Sequence, residues 1–110
     1  MGADLLGYRN EFALSEGGRR MIRARTGFVM HKMLDDYMII AVGENAQSFH
    51  SIIQTNDTGA FYWQMIEQGT TPEAMIKAVM ERYDDVDEET ARQDVTEFIQ
   101  GIMPAIETIQ

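Results

Sequence analysis

The chain has 110 residues, of which 45% are apolar and 25% charged, with nine Lys and Arg against eighteen Asp and Glu, two His and no Cys. This is the length and ordinary usage of one globular domain, able to bury about 60–70% of its unfolded surface around a single core. It excludes disulfide staples, thiol catalysis and cysteine-ligated zinc or iron–sulfur sites, and it fits a reducing compartment.

The charge is unevenly spread. Residues 1–26 hold five arginines against three acidic residues, whereas residues 27–110 hold four basic and fifteen acidic ones. A body this acidic repels phosphate backbones, so no nucleic-acid partner is expected, and it speeds encounter with a basic peptide or protein. No apolar run reaches the roughly 18 residues a membrane span needs, and no secretory signal opens the chain, so no membrane partner and a cytoplasmic location are expected.

In chain order, residues 1–26 are rich in Gly and Arg with weak periodicity and are expected to form a flexible N-terminal arm, with a short turn around Tyr8 to Leu14. Met21 could itself begin the folded unit. The domain proper is expected over residues 27–110. Residues 28–34 are dense in strand formers, Asp35-Asp36 reads as a tight turn, and residues 37–42 form a continuous apolar run suited to a central strand. Gly43 to Asn45 signals a loop, and residues 48–54 read as a third strand. Connections this short require an antiparallel meander.

Three helices follow. The first opens at Asn56 or Asp57, buries Ala60, Phe61, Trp63, Met65 and Ile66, and ends at Gly69 in a left-handed cap. Thr71 caps the second, with Pro72 at the first helical position and a stripe of Ile76, Val79, Met80 and Tyr83. Asp87 caps the third, whose stripe is Ala91, Val95, Phe98, Ile99 and Ile102, before Gly101 and Pro104 close it. Strands first and helices after predicts an α+β domain, winged-helix-like, with a three-stranded antiparallel sheet followed by a three-helix bundle.

Few residues suggest catalysis. His31 and His50 have no further ligand at metal-binding spacing, and the acidic run from Glu81 to Glu89 lacks the alternation of a calcium loop. No nucleophile–base pair and no phosphate-binding glycine loop is visible, so neither an enzyme nor a metal or other cofactor is expected. The winged-helix order raises a DNA-binding regulator as an alternative, but the third helix carries Arg92 against Glu88, Glu89, Asp94 and Glu97, the wrong sign for phosphates. The remaining feature is a sheet edge. Residues 48–54 contain no Pro and no Lys or other charge that would guard an exposed strand, so an extended peptide can add there as a further strand. The arm around Tyr8 to Leu14 could fill that edge instead, in the same chain or across a homodimer.

The segment from Asn56 to Thr71 resembles the PqqD family, the small peptide chaperones also called RiPP recognition elements. Asn56, Thr58, Gly59, Ala60, Trp63, Gly69 and Thr71 stand where the family pattern has them, and Tyr83-Asp84, Asp87 and Asp94-Val95 with Phe98-Ile99 match its later part. The resemblance covers residues 27–103, and Thr55 departs from the usual Leu. It implies that the chain binds the leader segment of a ribosomally made precursor peptide and presents it to a modifying enzyme, a radical S-adenosylmethionine enzyme in PqqD-like cases. Carried over, the contacts are the main chain of Phe49, His50, Ser51, Ile52 and Ile53 and the side chains of Arg92, Val95, Thr96 and Ile99. Thr58, Gly59 and Trp63 are expected to be cap, turn and core. The acidity of the third helix predicts a leader with basic residues beside it.

Overall fold

The computed structural model of the protein describes residues 20–43 and 52–109. Strands β1 (Met21–Ala24), β2 (Phe28–Met33), β3 (Asp36–Ala41) and β4 (Ile53–Thr55) precede helices α1 (Asp57–Gln68), α2 (Pro72–Arg82) and α3 (Glu88–Gly101). A short 3₁₀ turn over Met103–Ala105 then leads into β5 (Ile106–Ile109). The architecture is the α+β arrangement expected, a three-stranded antiparallel sheet in the order β2-β3-β4 followed by three helices. Among the described residues, no helix is long and apolar enough to cross a membrane.

Local chemistry accounts for the helix starts. The Asn56 side chain accepts from the Gly59 N–H at 3.0 Å, Thr71 from Ala74 at 3.1 Å and Asp87 from Thr90 at 2.8 Å. Each cap satisfies a donor that the first helical turn leaves without an intrahelical partner. Gly69 ends α1 at φ +89°, where a side chain would be strained. The hairpin turn falls at Leu34-Asp35, one residue earlier than Asp35-Asp36, because Met33 pairs with Asp36. That register puts Ile39 into the core, and a one-residue slip would turn it to solvent.

Met21–Ala24 is not part of an arm: it pairs antiparallel with β5, Met21 opposite Ile109 and Ala24 opposite Ile106. Ile22 is fully buried, and its N–H and C=O bond the main chain of Thr70 at 2.7 and 2.9 Å, tying β1 to the α1–α2 connection. Burial of Ile22 and pairing of its backbone override the Gly- and Arg-rich composition around it. Residues 1–19, with the expected turn around Tyr8 to Leu14, lie outside the described residues, as do positions 48–51 of the expected third strand.

The core gathers Trp63, Tyr62 and Ile66 of α1, Met75, Ile76 and Val79 of α2, and Ala91, Val95 and Ile99 of α3, with Ile22, Ile39 and Ile106 from the strands. α1 packs against β1, β3 and β4, while α2 and α3 pack on each other. The Trp63 indole N–H donates to Glu67 at 3.0 Å, so this deeply buried ring keeps its polar atom satisfied.

Candidate functional site

The site begins with the alternation of hydrogen bonds in the sheet. Met33 and Asp36 close a two-residue hairpin, and Val42 donates to the Gly27 carbonyl at 2.7 Å, so even-numbered residues of β3 bond to β2. Odd-numbered ones therefore bond to β4, through Tyr37 opposite Thr55 and Ile39 opposite Ile53. The N–H and C=O of Gln54, between these two pairs, face the other way. Among the described residues no strand pairs with that outer edge of β4. An extended backbone meeting it finds a donor and an acceptor ready to receive it.

Beside the end of β4 lies a groove of about 300 Å³. Its floor is Thr55 and Asn56 with Thr58, Gly59 and Tyr62 of α1, and its far wall is Asp94, Glu97 and Phe98 of α3. Gly59 allows β4 and α1 to approach this closely: a Cβ there would stand 1.7 Å from Thr55 Oγ1 and 2.8 Å from Thr55 Cβ. The Tyr62 ring meets Phe98 at 5.1 Å between centroids, and its hydroxyl donates to Asp94 at 2.7 Å. Burial, then the bond to Asp94, pushes the Tyr62 phenol well above its ordinary range, so it stays a donor. Asp94 and Glu97 give the wall a negative sign. Glu97 also accepts from Gln93 at 3.3 Å.

The residues expected to contact a peptide are distributed differently. Phe49, His50 and Ser51 lie outside the described residues. Ile52 is 60% exposed at the entrance to β4, and the strand alternation turns its main chain outward with that of Gln54. Ile53 packs partly on the core and directs its main chain to β3. On α3 the expected set is displaced around the helix. Val95 and Ile99 are fully buried in the core and offer no surface. Arg92 reaches Glu73 of α2 at 2.9 Å and Glu88 at 3.0 Å, away from β4, and these carboxylates, Glu73 first, hold its guanidinium above even its usual high range. The Thr96 hydroxyl donates back to the Arg92 carbonyl at 2.7 Å. The stripe on the groove is Asp94, Glu97 and Phe98, about 100° around the helix from Val95. Of these only Phe98 stood in the expected apolar stripe. Asp94 four residues before it was the available signal for the shared face.

Among the described residues, no three His, Asp or Glu side chains gather closely enough to hold a metal ion. The groove offers main-chain pairing, an aromatic surface and negative charge.

Residues 41–103 match the family model of Coenzyme PQQ synthesis protein D (PqqD). The chain belongs to the PqqD family. That match runs from the last residue of β3 to the start of the 3₁₀ turn, so it includes β4, the groove and all three helices, while β1, β2 and β5 lie outside it. Among curated proteins, none matches the chain. Among solved structures, it is similar to TbiB1 in complex with the TbiA(beta) leader peptide, with 18% sequence identity, a TM-score of 0.59, and coverage of 74% of this chain and 88% of TbiB1. At that identity the likeness establishes a shared fold. The PqqD-type residues now have places: Asn56 caps α1, Gly59 lets β4 close on it, Trp63 is core, and the Thr58 hydroxyl donates to Tyr83 Oη at 3.5 Å.

Proposed function

We propose that this member of the PqqD family binds the leader segment of a ribosomally made precursor peptide and performs no chemistry itself. The leader adds as a strand along the outer edge of β4, with side chains in the groove against Asp94, Glu97 and Phe98. The observation that carries this reading is the outward main chain of Gln54, unpaired by any strand among the described residues and set beside an open groove. Family membership supports it, as does a shared fold with TbiB1, solved in complex with the TbiA(beta) leader peptide.

Main-chain hydrogen bonds supply register, and the acidic, aromatic wall supplies choice, favouring a leader with a basic residue at that point. One added strand buries about 1,200 Å² in total, the low end for a specific interface. Holding the leader raises the local concentration of the rest of the peptide into roughly the millimolar range at a bound modifying enzyme, which we take to be a radical S-adenosylmethionine enzyme.

The test compares Gln54→Pro with Gln54→Ala in calorimetric titrations of a synthetic peptide copied from a short reading frame beside the gene. The proline removes the outward N–H, whereas the alanine keeps it and loses only the side-chain bond to Asp36 at 2.7 Å. Binding by Gln54→Ala and its loss in Gln54→Pro is the expected outcome. Equal binding by both would refute strand addition.

A further inference from the structure

Resting on the peptide-binding reading above, we infer that the bound peptide runs on past the end of β4 and seats one large apolar side chain in a second compartment between the helices. This compartment has a volume of about 260 Å³ and is walled by Val79 of α2, by Tyr83 and Val86 of the α2–α3 connection, and by Ala91 of α3. It shares Thr58, Tyr62 and Asp94 with the groove beside β4, so the two spaces are neighbours along one trough, with the hydrogen-bonded Tyr62–Asp94 pair lining both.

The two compartments differ in chemistry. The first is bordered by Asp94, Glu97 and the polar end of β4. The second presents mostly apolar surface, from Val79, Val86 and Ala91, although the Tyr62 hydroxyl and the Asp94 carboxylate that it shares with the first also line it. A cavity of about 150 Å³ lined by aliphatic and aromatic groups holds a benzene-sized molecule, so this one has room for a Leu, Phe or Trp side chain. An anionic group would find no partner there and would face the Asp94 carboxylate, an unfavourable transfer.

Geometry sets the spacing. The trough follows one face of α3 from Phe98 back through Asp94 to Thr90, eight residues at 1.5 Å each, or about 12 Å. An extended peptide covers that distance in roughly three to four residues at about 3.3 Å each. The apolar anchor therefore stands three to four positions from the segment paired with β4. Continuity with the strand edge identifies the occupant as the same peptide. A peptide recognised this way is read twice: by its basic character beside Asp94 and Glu97, and by an apolar residue at fixed distance.

A random-peptide display library selected in parallel on the full chain, on Val86→Trp and on Gln54→Pro tests this. The natural chain is expected to enrich peptides carrying Leu, Phe or Trp three to four residues from a β-forming stretch. Resynthesised and measured by fluorescence anisotropy, such a peptide should bind Val86→Trp about tenfold or more weakly, the size of an anchor loss. Replacing its anchor by Ala should weaken binding to the natural chain and leave binding to Val86→Trp unchanged. Should Val86→Trp fail to show a cooperative melt, Thr90→Trp, on the exposed first turn of α3, obstructs the same space. If peptides enrich and lose binding to Gln54→Pro but bind the tryptophan variants as they bind the natural chain, the second compartment is no part of the site and strand addition stands. If no peptide enriches on the natural chain, peptide binding falls and this inference with it.

Discussion

Gly59→Ala probes the contact on which the groove depends. Inside a helix this exchange ordinarily stabilises by about 0.5–1 kcal/mol. Here the new Cβ would stand 1.7 Å from Thr55 Oγ1, 3.0 Å from Cγ2 and 2.8 Å from Cβ. Rotating the Thr55 side chain moves the first two atoms but not the third. Ordinary contact begins at 3.4 Å, so β4 must withdraw by at least 3.4 − 2.8 = 0.6 Å whatever rotamer Thr55 adopts. Overpacking of this kind costs about 1–3 kcal/mol, which outweighs the helical gain and leaves a net loss of about 1–2 kcal/mol. For a domain of this size that lowers the melting temperature by roughly 5–15 °C. Urea denaturation followed by the fluorescence of Trp63, the single and fully buried tryptophan, reads the change. The atom responsible is identifiable by second variants. Thr55→Ala keeps its Cβ and should recover little, whereas Thr55→Gly should recover most of the loss. Gly59→Ala as stable as the natural chain, or full recovery by Thr55→Ala, would refute the reasoning.

Three further outcomes are expected. Ile22→Ala should destabilise the chain by about 2–4 kcal/mol in chemical denaturation, the cost of emptying a fully buried site in β1, and an effect under 1 kcal/mol would show that β1 is not part of the cooperative unit. Tyr62 is raised above its ordinary value of 10.0, so the unfolded chain releases that proton first; the native state should lose stability as pH rises above about 10, and Tyr62→Phe should flatten that slope in alkaline melts while losing about 1 kcal/mol at neutral pH. Leu34 is 95% exposed at φ +56°, so Leu34→Gly should stabilise the hairpin by about 0.5–1 kcal/mol in thermal denaturation, and a loss of stability would mean that the leucine is held by a contact the fold does not reveal.

How far the residues alone announced this structure follows from the length of each signal. The helices were legible because each start carries a capping side chain that satisfies an amide: Asn56, Thr71 and Asp87 all do so. The hairpin was legible from its apolar runs, but two adjacent aspartates drew the turn to 35–36, while pairing of Met30 with Ile39 demands 34–35. β1 and β5 were missed because a four-residue strand shows only two side chains to the core, too few for a period to stand out, and because the partners lie far apart in the chain, Met21 opposite Ile109. On α3 the resemblance implies contacts at Val95 and Ile99, which also belong to the apolar stripe. That stripe is the core face: the most apolar positions, Val95 and Ile99, are consumed by packing, and the neighbouring stripe of Asp94, Glu97 and Phe98 is left to border the groove. A helix with one wide apolar face does not disclose where that face ends until its neighbours are in place.

The pairing of Met21 with Ile109 also has a mechanical meaning. The folded unit receives its chain and releases it at adjacent positions, so anything joined at either side hangs from one corner, like a tag on a single hinge. Tension applied between those two points would part the β1–β5 ladder one rung after another rather than shear all its rungs together. Resistance would then rest with the Ile22–Thr70 link behind it, where the ladder is fastened to the helices.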